Sequence, residues 1–269
     1  ALSTKGFSLN MESNSDFKVN GINFGSSQIK IHASSDAGMT FDGELKLPYG
    51  LGNANVKGKV TKGGVSFAGE LAAGSKLTLP NGVKLPTANM KFSFDESKGL
   101  VLDGRVDVPY VGWASVKGKI TGDDFSLSGS IAAGKIEFVR ISTPLGTQIT
   151  SLPYVSGTLS ISKNDGIYFK ADFSMSPFGN HTLEGHIKSN SIELTGSNDI
   201  SFLIDGHSFD IANCNFTASS TKGITIDGMM DLYFVRMQVK GAYYGINNFS
   251  LSGSTSIDKR PLSLSLGAT

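Results

Sequence analysis

The chain has little of what several common kinds of protein need. Its 269 residues include one cysteine, Cys214, one tryptophan and 8 prolines; 17% carry charge, and the formal net charge is +1. A single cysteine forms no internal disulfide and supplies no thiolate metal cluster. Without a basic surplus there is no broad positive field to hold phosphate backbones, which argues against a general nucleic-acid binder. No window approaches about 18 uninterrupted apolar residues, so a membrane-spanning helix is excluded. Scarcity ends at glycine. The 33 glycines, with abundant Ser and Thr, suit either a flexible low-complexity chain or a protein of strands and turns. With 39% hydrophobic residues the chain can bury a core, so disorder is not the default reading.

Periodicity decides between the two. From Leu100 the chain reads L-V-L-D-G-R-V-D-V-P, with Leu100, Leu102, Gly104, Val106 and Val108 on one face and Asp103, Arg105 and Asp107 on the other. That is the period-two signature of a half-buried strand. Ala114, Val116, Gly118 and Ile120 alternate in the same way, as do Phe125, Leu127, Gly129 and Ile131. No stretch of comparable length has a helical period, and turn clusters arrive throughout. The chain reads as almost entirely antiparallel β.

Three strand types recur. The first is F-D-G-E-L at Phe41, L-D-G-R-V at Leu102, F-K-A-D-F at Phe169 and I-D-G-M-M at Ile226. The second is V-K-G-K-V at Val56, V-K-G-K-I at Val116, L-E-G-H-I at Leu183 and V-K-G-A-Y at Val239. The third is F-A-G-E-L at Phe67, L-S-G-S-I at Leu127, L-T-G-S at Leu194 and L-S-G-S-T at Leu251. Glycines of the second type stand at 58, 118, 185 and 241, in steps of 60, 67 and 56; those of the third stand at 69, 129, 196 and 253, in steps of 60, 67 and 57. Two markers drifting together indicate about four tandem repeats of roughly 60 residues, each an antiparallel meander of four to five strands. The units would form an extended or stacked sheet or sandwich assembly. The boundaries fall at 1–13 (a terminal strand), 14–74, 75–134, 135–198 and 199–257 (repeats), and 258–269 (a partial repeat or terminal strand). Both ends read as mid-repeat, and unpaired sheet edges invite further pairing.

Charge fixes a register. The outward residue before the central small residue is Asp42, Asp103, Lys170 and Asp227 in the first strand type, and Lys57, Lys117, Glu184 and Lys240 in the second. Where one switches sign, so does the other, so these positions are expected to face each other across a ladder, each pair contributing roughly 0.2 to 1 kcal/mol. This register sets Phe41, Leu102, Phe169 and Ile226 opposite Gly58, Gly118, Gly185 and Gly241. Glycine inside a strand is otherwise unfavourable. Cover by large neighbours accounts for an inward set comprising Gly43, Gly58, Gly69, Gly104, Gly118, Gly129, Gly185, Gly196, Gly228, Gly241 and Gly253.

Candidate chemistry is sparse. His181 and His186 differ in parity and project to opposite faces, and His32, His181, His186 and His207 read as surface histidines, with no metal ligands or catalytic residues among them. Cys214 shares parity with Ala212 and Phe216, as a buried inert thiol does. No nucleophile elbow, zinc-protease or phosphate-loop motif occurs, and no cofactor is expected. Asn180, Asn215 and Asn248 head Asn-x-Ser/Thr sequons, at near-chance frequency in such a composition. Tyr49, Tyr110 and Phe178 lie beside prolines at the ends of first-type strands, with Trp113 close by. They form either a binding ridge or caps on the core.

The expected function is that of a non-enzymatic structural repeat protein, extracellular or in the cell envelope. It would be a filament, fibre or stalk subunit with adhesive capacity, assembling head to tail with other copies through strand edges. Surface glycan or lipid are the other partners considered, and nucleic acid is not. In strand count and alternation the unit also resembles repeating β-groove lipid-bridge proteins, and that resemblance implies an open groove carrying acyl chains. Inward Gly and Ala would narrow such a groove.

Overall fold

The computed structural model describes residues 8–34, 38–122, 124–143, 146–204, 206–232, 235–245, 248–257 and 260–268. Every regular element among them is a β-strand. Two compact units emerge, one from residues 1–130 with 159–166, the other from 131–158 with 167–269.

The first unit is an antiparallel meander. Its strands are β1 (Ser8–Val19), β2 (Ile22–Ser34), β3 (Gly38–Leu47), β4 (Gly52–Thr61), β5 (Gly64–Glu70), β6 (Lys76–Thr78), β7 (Lys84–Asp95), β8 (Gly99–Val108), β9 (Gly112–Thr121) and the start of β10 (Asp124–Thr143). Each pairs with the next in sequence, except that the short β6 pairs with β7 and leaves β5 also paired to β7. The sheet curls over its own inner face. Phe24 of β2 meets Phe67 of β5 at 5.3 Å and Phe94 of β7 at 5.7 Å, and the last two rings stack at 4.8 Å.

The second unit is also an antiparallel meander, and β11 (Gly146–Ser162) precedes its hairpins. It runs through β12 (Gly166–Met175), β13 (Gly179–Ile187), β14 (Ile192–Ile204), β15 (His207–Ser219), β16 (Gly223–Leu232), β17 (Val235–Gly245), β18 (Asn248–Ile257) and β19 (Arg260–Ala268). From β12 onward each strand pairs antiparallel with its successor. Phe178, in the turn after β12, packs on Phe202, Phe216, Tyr243 and Phe249, with ring centroids 4.8 to 6.4 Å away.

Inner rows alternate bulky residues with glycine. Gly58 lies between Phe41 and Phe67, Gly118 between Leu102 and Leu127, Gly185 between Phe169 and Leu194, and Gly241 between Ile226 and Leu251. One row along, the pattern inverts: Val56 lies between Gly43 and Gly69, Val116 between Gly104 and Gly129, and Val239 between Gly228 and Gly253. The strands approach so closely that a Cβ on Gly118 would stand 2.0 Å from the Ser126 carbonyl oxygen, and one on Gly185 2.1 Å from that of Glu193. Glycine is what allows the sheet to bend tightly enough to bring distant strands into contact.

A second device was not read from the sequence. The register slips between Ala88 and Lys91 in β7 and between Ala212 and Asn215 in β15. At each slip an asparagine has positive φ, 50° at Asn89 and 51° at Asn213. Asparagine tolerates this left-handed conformation better than other side-chain-bearing residues, and a bulge sharpens local twist. The residue that follows, Met90 or Cys214, is buried. The paired sequences A-N-M-K-F and A-N-C-N-F were the available signal.

Candidate functional site

Among the described residues, each unit has inward side chains sealed from solvent. Leu45, Leu100 and Leu102 in the first, and Phe169, Phe173 and Leu194 in the second, have no exposed surface. Titratable and polar side chains lie mainly on the outer faces and in the turns.

The four charge pairs stand as cross-strand neighbours in their hairpins: Asp42 and Lys57, Asp103 and Lys117, Lys170 and Glu184, Asp227 and Lys240. Three make ion pairs, at 3.1 Å for Asp103–Lys117, 2.9 Å for Lys170–Glu184 and 3.5 Å for Asp227–Lys240. The Asp42 carboxylate lies instead 3.0 Å from His32 Nε2. Lys170 hydrogen-bonds Glu184 and so holds that carboxyl below its ordinary range, with Tyr168 assisting. All four are solvated pairs, which stabilise by at most about 1 kcal/mol each. They favour one register without supplying a reactive group.

The proline-flanked aromatics separate. Tyr49 and Tyr110 occupy turns with φ of 54° and 68°; Tyr49 is half-buried with its ring 4.8 Å from that of Phe125. Trp113 is 42% exposed, with the Arg105 guanidinium 5.6 Å from its ring centroid. Phe178 is buried in the core of the second unit. The four do not make one continuous ridge.

Among the histidines, His32 and His186 are exposed and His207 lies on a solvent face, but His181 departs from the surface reading: it is 4% exposed. Its parity placed it inward with Leu183, and the aromatic Phe216 ring accepts it at 4.4 Å. Nε2 bonds the Phe178 carbonyl oxygen at 2.8 Å. Among the described residues Nδ1 has no partner, and neither does the buried Tyr243 hydroxyl. Burial pushes the Tyr243 phenol up to about 12. It pushes His181 below its usual 6.5, against a smaller upward pull from the Phe178 carbonyl. As pH falls below 6.5 the unfolded chain takes up a proton that the folded one resists, so unfolding becomes easier. The stability of the second unit is thus expected in full above pH 6.5 and to decline below it until the depressed folded value is reached. A urea midpoint that drops between about pH 7 and pH 5 in the parent, and drops less in His181→Gln, is the expected result. An equal drop in both would remove His181 as the cause.

Cys214 is fully buried, and its thiol is pushed up to about 12 by burial, then by the charges of Asp227 and Asp199. A thiol held so high is a poor nucleophile at neutral pH. Among the described residues no group of three or more His, Cys, Asp or Glu side chains could hold a metal ion. Asn180 and Asn215 are exposed, and Asn248 is half-buried.

Two shallow depressions lie on outer faces, one in each unit. The first, of about 600 Å³, is bordered by Lys57, Lys59, Lys98, Ser66, Ser93 and Asp95. The second, of about 560 Å³, is bordered by Lys170, Thr182, Glu184, Thr195, Ser197 and Thr217. Both lie over strands whose outward side chains are short, and neither was identified from sequence. The outward Ser and Ala of β5 and β7, between lysine-bearing neighbours, were the signal for the first. Comparison of the chain with protein-family models, curated proteins and solved structures returns no match.

Proposed function

We propose that the chain is a non-enzymatic structural repeat protein of the cell exterior or envelope, built from four tandem units and assembling with further copies through β-strand edges. The observation that carries this reading is the recurrence of one ladder register in four hairpins, β3–β4, β8–β9, β12–β13 and β16–β17. Each is followed by a third strand that sets a bulky residue against the same glycine. A chain that reuses one packing device at nearest-neighbour contacts can be extended by adding the same contact again. Fully buried inward side chains such as Leu100, Leu102, Phe169 and Leu194 favour this over an acyl-chain groove.

A half-exposed apolar row supports assembly. In β19, Leu262, Leu264 and Leu266 are half-exposed, whereas Leu251, the cross-strand partner of Leu266 on β18, is 1% exposed. A strand of another copy laid against that row would cover it. Concentration-dependent oligomers or filaments are expected in sedimentation and negative-stain microscopy of the protein. Leu264→Lys, which sets a charge on the row, is expected to leave folded monomers, as inward charges do on natural edges. A parent that stays monomeric at every concentration, or several lipids co-purifying per chain, would overturn the reading.

A further inference from the structure

The turn between β12 and β13 is tied down at Phe178 in three ways. The Phe178 amide donates to the Met175 carbonyl oxygen at 2.6 Å, and the Phe178 carbonyl oxygen accepts from His181 Nε2 at 2.8 Å. The third tie is the ring, set among Phe202, Phe216, Tyr243 and Phe249. A carbonyl oxygen only accepts, so the neutral imidazole carries its proton on Nε2 and Nδ1 is left a bare acceptor. Nδ1 is buried, and among the described residues it has no hydrogen-bond partner. The Tyr243 hydroxyl is buried without a partner as well, and its ring lies 6.1 Å from that of Phe178. Two unsatisfied polar atoms thus belong to residues that touch Phe178. Such atoms are costly to hold away from water, and release of Phe178 would open a way for water to both.

No charged group compensates a second proton on His181. The inward groups packed on it are Phe173, its ladder partner on β12, and the Phe216 ring of β15. The other inward titratable groups of the surrounding strands, Cys214 and Tyr243, are neutral, with burial pushing the thiol and the phenol each to about 12. The carboxylates of those strands, Asp172, Glu184, Asp199, Asp210 and Asp227, and the cations Lys170 and Lys240, all keep part of their surface in solvent. Burial alone opposes the charge on His181, against a smaller pull from the Phe178 carbonyl. In the closed turn a proton on Nδ1 would be a charged donor in an apolar pocket with no acceptor. With the turn swung out, water solvates the imidazolium and the usual value of 6.5 returns.

We propose that the turn from Ser176 to Phe178 is a proton-released latch: protonation of His181 on Nδ1 frees Phe178 from the aromatic cluster of the second unit. Opening takes up one proton below pH 6.5. The open population therefore grows as pH falls, by up to about tenfold per pH unit until the depressed value of the closed form is reached. The opened turn uncovers the faces of Phe202, Phe216, Tyr243 and Phe249 that the Phe178 ring covers, so an apolar surface becomes available in mild acid. The latch does not depend on edge assembly and stands or falls separately from it.

The test is native-state hydrogen exchange on the full chain between about pH 7.5 and pH 5, spanning the ordinary histidine range, with rates corrected for the intrinsic effect of pH. Protection of the Phe178 amide is expected to fall by up to about tenfold per pH unit below the histidine midpoint in the parent and to stay level in His181→Gln. His186→Gln, at an exposed position on the same strand, is expected to keep the parent's response. Urea below the unfolding transition separates a local opening from loss of the whole unit. Release of one turn exposes little surface, so exchange at Phe178 is expected to change little with urea, while amides of β16 and β17 speed up. Should His181→Gln fail to fold by circular dichroism, His181→Phe keeps a ring against Phe216 and is expected to show the same level profile. Protection at Phe178 that ignores pH in the parent, an equal pH response in the His181 variants, or a urea dependence at Phe178 equal to that of β16 and β17 would overturn the proposal.

Discussion

Gly118→Ala is expected to lower the urea midpoint of the first unit by about 1 to 2 M, equivalent to a loss on the order of 3 kcal/mol. The added Cβ would stand 2.0 Å from the Ser126 carbonyl oxygen and 2.6 Å from the Leu127 Cα, both backbone atoms of the paired strand β10. A flexible side chain could swing aside from such a contact, but a ladder cannot without breaking its own hydrogen bonds. The comparison is Gly63→Ala, in the turn between β4 and β5, where the nearest atom to a new Cβ is Thr61 Oγ1 at 3.7 Å. There the substitution removes backbone freedom from the unfolded chain and is expected to be neutral or slightly stabilising, by up to about 1 kcal/mol. The chain's single tryptophan, Trp113, lies in the same strand, β9, so its fluorescence reports the transition. Equal midpoints for the two variants would show that the ladder yields at Gly118 and that close approach is not why glycine stands there.

The strand order and much of the register follow from residues that can be seen one at a time. Leu100 to Val108 alternate so regularly that inside and outside are assigned without ambiguity, and the sign change from Asp103 and Lys117 to Lys170 and Glu184 sets one strand against the next. Those signals are local, because a ladder partner lies one hairpin away. The curl of each sheet was not legible in the same way. It brings Phe24 against Phe67 and Phe94, strands well separated along the ladder, and no pairwise pattern marks such a contact. The bend that permits it depends on glycines whose spacing was visible, but alternation alone does not give the angle.

Surface chemistry was harder still. Lys59 and Lys117 both read as outward residues of V-K-G-K motifs, Lys59 in the second lysine position and Lys117 in the first. The difference lies in their neighbours: Lys117 faces Asp103, whereas Lys59 faces Thr40 and Ser66. Reading that contrast requires the register on both sides of the strand. The depression was therefore present in the sequence only as a row of short side chains, Ser66, Ala68 and Ser93, whose alignment depends on three ladders at once. His181 shows the converse limit. Its inward parity was readable, but the aromatic pocket around Phe216 that receives it comes from β15, two strands beyond its own.

The aromatic turns show how similar local sequence can serve different ends, and they carry a second large expected effect. Tyr49, Tyr110 and Phe178 follow proline in comparable turns, yet only Phe178 enters a core. Its ring lies 4.8 Å from Phe249 and 5.2 Å from Phe202, both edge-on, and the side chain is 3% exposed. Its backbone carbonyl also accepts the His181 ring nitrogen. Phe178→Ala would remove the ring about which four other aromatic side chains are arranged, and a cost of about 3 to 5 kcal/mol is expected. Because Tyr243 and Phe249 reach it from strands that precede and follow the β17–β18 turn, the cavity is bounded by several strands and has little room to collapse. Partial collapse would place the cost near the lower end of that range. Trp113→Ala, at a position with nearly half its surface in solvent, is expected to cost no more than about 1 kcal/mol, since it forfeits mainly the exposed contact with Arg105. Urea unfolding followed by far-ultraviolet circular dichroism measures both. If the two substitutions cost the same, Phe178 is not an anchor of the second unit's core.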